Sequence, residues 1–118
     1  MSKLFDLLDI AYELKKLGNL IVSCEETVKD AERALKKDPE SEELKNIRDS
    51  HRSDVENLLR PHHNELNEKF ETLLEAAKKD SKFLSEIETS KVPEEYKEVF
   101  AEIKTRVFEE QGKERPQE

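Results

Sequence analysis

Glycine and proline are scarce in this chain, with 2 Gly and 4 Pro in 118 residues. Strand-rich folds draw their turns from those residues, so a sheet protein is not expected. The single cysteine, Cys24, cannot close an internal disulfide, and an oxidising compartment is not required. Tryptophan is absent and aromatics make up 6% of the chain, so any core must be largely aliphatic. No apolar run approaches the ~20 residues that cross a bilayer. The N-terminus shows no charged-then-apolar leader with a small-residue cleavage site. A cytoplasmic protein without a membrane partner is the expectation.

Sites for chemistry are equally thin. With glycine only at 18 and 112, no Gly-rich phosphate loop and no Gly-x-Ser-x-Gly elbow can be written. His51 and His62 stand about three helical turns, ~16 Å, apart and cannot share a metal on one helix. Adjacent His62 and His63 diverge by about 100° on a helix. The Glu-x-x-His pattern of di-iron bundles is missing, because positions 48, 59 and 60 hold Arg48, Leu59 and Arg60. Cys24 reads as a small buried hydrophobe, with Glu25 and Glu26 opposing thiolate formation. No catalytic, metal or cofactor residue is assigned, and a non-enzymatic protein is expected.

What the chain has is charge and helical period. Charged residues are 42% of the sequence, 29 acidic against 21 basic, for a net charge of -8. The signs are mixed, so no basic stripe survives to bind phosphates, and direct nucleic-acid binding is not expected. Glu25–Lys29, Glu32–Lys36, Glu56–Arg60, Glu65–Lys69, Glu75–Lys79 and Glu102–Arg106 stand four apart in the order that supports a helix.

Leu7, Ile10, Leu14, Leu17, Ile21, Cys24, Val28, Ala31 and Leu35 recur at alternating gaps of three and four. That spacing is the seam of a helix packed lengthwise on another. Ser2 caps its start and Lys36–Lys37 suit its end, which predicts one helix from about 3 to 37. Gly18 falls inside it, but the seam keeps phase there, favouring an unbroken helix. Asp38–Pro39–Glu40 reads as a turn, with Asp38 as cap and Pro39 in the first helical position.

A second stripe follows: Leu44, Ile47, His51, Val55, Leu58, His62, Leu66, Phe70, Leu73 and Ala77. It predicts a helix over about 39–79, kinked near Pro61 because proline cannot bond back to Asn57. Asp80–Ser81 is a stop or cap, and Phe83, Leu84 and Ile87 make a short apolar piece. Pro93–Glu94–Glu95 opens a last helix, which Gly112 closes at about 93–111.

The expected fold is all-α: a long, coiled-coil-like antiparallel hairpin with a third C-terminal helix. It forms a three-helix bundle or an elongated helical dimer. A single domain covers 1–112, with a disordered tail over 113–118. Long thin rods bury little, so a second chain, another protein or its own copy as a homodimer, is the natural complement. The expected function is a protein–protein interaction module: an adaptor, assembly chaperone or small inhibitor that occupies a partner protein's surface. The seam residues Leu7, Ile10, Leu14, Leu17, Ile21, Cys24, Val28 and Leu35 would carry packing or the interface. Tyr96, Phe100, Ile103 and Phe108 on the last helix are candidate docking residues. The alternative is an acidic inhibitor that imitates nucleic acid, built on ridges such as Glu25, Glu26, Asp30, Glu40, Glu42 and Glu43.

Overall fold

The computed structural model describes residues 2–114. The protein is all-α, with no strand among the described residues. The helices are α1 (Lys3–Lys37), α2 (Glu42–Asp54), α3 (Arg60–Lys78), α4 (Ser81–Thr89) and α5 (Lys97–Glu114). A π-helical turn, Val55–Leu59, joins α2 to α3, and a 3-10 turn, Glu94–Tyr96, precedes α5. By packing, the chain divides into two compact units: Met1–Tyr12 with Lys69–Glu118, the terminal unit, and Glu13–Glu68, the hairpin unit.

α1 starts where the Ser2 hydroxyl accepts the Phe5 amide at 3.3 Å. It runs 35 residues, straight through Gly18, whose φ is not positive. Helix restarts later than the Asp38–Pro39 reading expects. Ser41 is the cap, its hydroxyl accepting from the Leu44 amide at 3.2 Å. Asp38 instead opens a turn, its backbone carbonyl accepting the Ser41 amide at 3.2 Å, with Pro39 at the turn's second position, where its fixed φ suits.

The largest departure from the sequence reading precedes Pro61. The Arg60 amide bonds to the Val55 carbonyl, five residues back, which inserts one extra residue into the turn. Proline crowds the carbonyl four residues before it, here Asn57, and widening that turn relieves the crowding. The chain stays helical through Pro61, but the inward face shifts by one residue. Val55 is buried and Leu59 half-buried, while Leu58, placed on the stripe by spacing, is 63% exposed. His62 is likewise exposed and His63 half-buried. Further on, Phe70, Leu74 and Ala77 are buried, and Leu73 is only half so.

In the terminal unit, Asp80 caps α4 by accepting the Lys82 amide at 2.9 Å, and its other oxygen takes the Lys3 ammonium at 2.8 Å. That ammonium and the amide hold the Asp80 carboxyl below the ordinary carboxylate range. Leu4, Leu7 and Leu8 of α1, Phe70, Leu74 and Ala77 of α3, Phe83 and Ile87 of α4, and Val99, Ile103 and Val107 of α5 are buried here. Each full burial contributes roughly 1.5–3 kcal/mol, less for Ala, so this unit holds most of the hydrophobic stabilisation. Arg106 clamps α5 to α3 by donating to both Glu71 oxygens at 2.7 and 2.8 Å, with its guanidinium over the Phe70 ring. α5 does not stop at Gly112 but continues to Glu114. The remainder of the expected 113–118 tail lies outside the described residues.

The hairpin unit is antiparallel. Glu25 meets Arg60 at 2.7 Å and Glu32 meets Arg52 at 3.2 Å, so an advance along α1 matches a retreat along the second arm. Glu25 and Glu32 reach across the hairpin, and Arg106 reaches from α5 to Glu71, where the four-residue spacing expected partners within one helix. The hairpin core is slim: Ile21, Val28, Ala31 and Val55 are its buried apolar side chains.

Candidate functional site

The seam read from the sequence is one line on α1, yet its residues serve two units. Leu7 is fully buried and Ile10 half-buried in the terminal unit. Ile21 and Val28 are buried in the hairpin unit, while Leu14, Leu17, Cys24 and Leu35 are only half-buried. Amphipathic period marks which side chains face inward; how deeply each is covered depends on the partner helix, which the spacing does not describe.

The aromatic-rich last helix is occupied by its own chain. Ile103, a candidate docking residue, is 1% exposed and belongs to the core of the terminal unit. It is unavailable to a partner while α5 stays folded. Tyr96 donates its hydroxyl hydrogen to Asp9 at 2.7 Å and meets Tyr12 edge-on at 5.3 Å. Accepting that bond, and lying close by, the Asp9 carboxylate pushes the Tyr96 phenol up to about 12. Phe100 is half-buried beneath the Lys104 ammonium. Phe108, 40% exposed, is the one of the four with a largely open side chain.

Sequence reasoning missed the exposed apolar residues of the hairpin unit. Leu20 is 49%, Val22 53% and Leu58 63% exposed. Leu20 and Leu17 border an open recess of about 580 Å³ with Glu13, Lys16 and Asn19. A second cleft, of about 290 Å³, lies among Glu25, Lys29, Glu32, Arg52, Glu56 and Arg60, over Val28 and Val55. Two ion pairs, Glu25–Arg60 and Glu32–Arg52, cross it and staple the two arms. Leu20 and Val22 could have been noticed as the two residues beside Ile21 that are neither polar nor on the seam. Nothing in the spacing could have moved Leu58 outward, because that depends on the π turn.

Histidines and the cysteine do not converge. The His51 ring nitrogen Nδ1 donates to the Ile47 carbonyl at 2.9 Å, and Cys24 is a half-buried free thiol. Among the described residues no three His, Cys, Asp or Glu side chains are grouped to hold a metal. No described helix is long and apolar enough to cross a membrane. What the geometry shows in the hairpin unit is exposed apolar side chains, Leu20, Val22 and Leu58, on helices bordered by charge.

Comparison with known proteins adds no relative: no family model, curated protein or solved structure matches this chain. The class is therefore set by the fold alone, an all-α chain with a well-filled terminal unit and an under-filled helical hairpin unit.

Proposed function

We propose that this protein is a non-enzymatic helical interaction module, acting as an adaptor, assembly chaperone or small inhibitor by docking its hairpin unit on a partner protein. One observation carries the reading. Between Glu13 and Glu68 four apolar side chains are buried, while Leu20, Val22 and Leu58 stand open and Leu14, Leu17, Leu59 and Leu66 are half-open. Apolar side chains left beside water on a rigid helix are the anchors that helix-to-helix docking uses.

The nucleic-acid-mimicking alternative has less support. Glu25, Asp30 and Glu42 of its ridge face Arg60, Arg33 and Lys45 at 2.7, 3.0 and 3.7 Å, which dilutes the negative field. The test is capture of binding proteins from the native host on immobilised chain, wild type beside Leu20→Ser/Leu58→Ser. A protein retained by the wild type and lost from the folded variant supports hairpin docking. Retention by both overturns it, and release of that protein in high salt then favours the acidic surface.

A further inference from the structure

The docking reading can be taken further, because the two broad faces of the hairpin unit differ in chemistry. Successive helical residues turn by about 100°, so the residues before and after an inward-facing one leave on opposite flanks. The residues after Val28 and Val55, Lys29 and Glu56, line one cleft together with Arg52, Arg60, Glu25 and Glu32. That face is stapled by ion pairs. The residues on the other flank are Leu20, before Ile21, and Leu58, before the half-buried Leu59. Leu17, Cys24 and Ala34 on α1 and Ile47 on α2 fall on the same flank and are all half-buried. The ion-pair register sets Leu58 beside the Glu26–Thr27 turn, so the two arms contribute to one surface. Thr27 on that turn turns its hydroxyl hydrogen to the Ser23 carbonyl at 3.1 Å and leaves little polarity outward.

From Leu17 to Ala34 this face runs ~26 Å, enough to hold about five turns of another helix. Its border is acidic. Glu43, Asp54 and Glu65 each precede an inward residue, Leu44, Val55 and Leu66, and so lie on this flank. Glu13 joins them at the recess beside Leu17 and Leu20, and the lysine there, Lys16, stands 3.6 Å from that carboxylate. Lys29, Arg52 and Arg60 are all turned to the opposite face. A second copy docked on this surface would set acid against acid, in a chain that already carries a net charge of -8.

We propose that the Leu20–Leu58 face of the hairpin unit binds a basic amphipathic helix, one with an apolar stripe flanked by lysine or arginine. This rests on the docking reading and names the partner's chemistry. The stripe seats on Leu17, Leu20, Leu58 and Ile47, and the flanking cations meet Glu13, Asp54 and Glu65.

The probe is a pair of designed helical peptides of ~18 residues with the same leucine stripe, one flanked by lysines and one by glutamates. Binding to the intact chain is followed by fluorescence anisotropy, with circular dichroism confirming the fold of each variant. The lysine-flanked peptide is expected to bind at least about tenfold more tightly than the glutamate-flanked one. It should lose about tenfold or more in Leu20→Ser/Leu58→Ser and be unchanged in Val22→Ser, a substitution on the other flank of Ile21. Equal binding of both peptides, abolished by Leu20→Ser/Leu58→Ser, overturns the basic partner while leaving hairpin docking intact. Binding that Leu20→Ser/Leu58→Ser does not weaken overturns both. Sedimentation that finds a dimer of the wild type, dissociated by that double variant, makes the occupant a second copy and overturns the basic helix.

Discussion

Ile103→Ala asks whether the last helix belongs to the core or is held in reserve for a partner. Ile103 is 1% exposed between Val99 and Val107 on the buried stripe of α5. Truncation removes three carbons from a filled site. The transfer loss and the cavity left behind together cost ~3 kcal/mol, within the 2–5 usual for such changes. At about 1.4 kcal/mol per factor of ten, the folded-to-unfolded ratio falls roughly 100-fold or more. With a urea m-value of ~2 kcal/mol per molar, the unfolding midpoint drops by ~1.5 M. The chain provides its own reporter. Both of its tyrosines, Tyr12 and Tyr96, lie in the terminal unit, 5.3 Å apart, and there is no tryptophan to mask them. Tyrosine fluorescence therefore follows this unit, while circular dichroism at 222 nm follows the whole chain. A detached α5 would respond differently, since alanine is the better helix former where a side chain is exposed. A midpoint shifted by less than ~0.3 M, equivalent to about 0.6 kcal/mol, would refute the packing described here and return α5 to the candidate docking surfaces.

Three further outcomes follow from single features. Because Asp9 raises the Tyr96 phenol to about 12, its contribution is complete below the ordinary tyrosine range near 10 and is lost as pH climbs towards 12. Absorbance of tyrosinate at 295 nm in Asp9→Asn should show Tyr96 ionising at lower pH than in the wild type. Glu71→Gln breaks the paired bonds to Arg106 and should cost about 1 kcal/mol near neutrality, a modest figure because both side chains are partly in water. Arg106 holds the Glu71 carboxyl below its ordinary value, so this stability is present above that value and fades as acid protonates it. Urea titrations should accordingly separate Glu71→Gln from wild type at pH 7 and bring them together at low pH. Gly18→Ala should stabilise by about 0.5–1 kcal/mol, as the position is helical with open space around a new Cβ; a lower urea midpoint would contradict an unbroken α1.

The proposed docking surface is the least legible part of the sequence. Its two most exposed anchors came from different failures of spacing. Leu20 lies just off the seam, where a hydrophobic residue carries no periodic signal. Leu58 lies on the expected stripe and is turned out by an extra residue in the turn before Pro61. Proline announces that something must change in the hydrogen-bond ladder, but kink, break and π turn all satisfy it. Charges were misjudged for a related reason. Glu25 and Glu32 have suitable basic residues four positions on, yet their stronger partners, Arg60 and Arg52, come from the facing arm.

By itself the sequence determined that the chain is helical, because scarce glycine and proline with three- and four-residue apolar gaps leave no other regular structure. It also favoured an α1 that crosses Gly18, since the seam keeps phase there, and the helix is continuous through that position. Tertiary structure alone decided how one continuous apolar seam is divided. Its first residues enter a core closed by α3, α4 and α5, while its later ones have a single facing arm and remain half in water. Period fixes the direction of a side chain; the number of helices packed around it fixes whether water is excluded, and that is a property of the assembled chain.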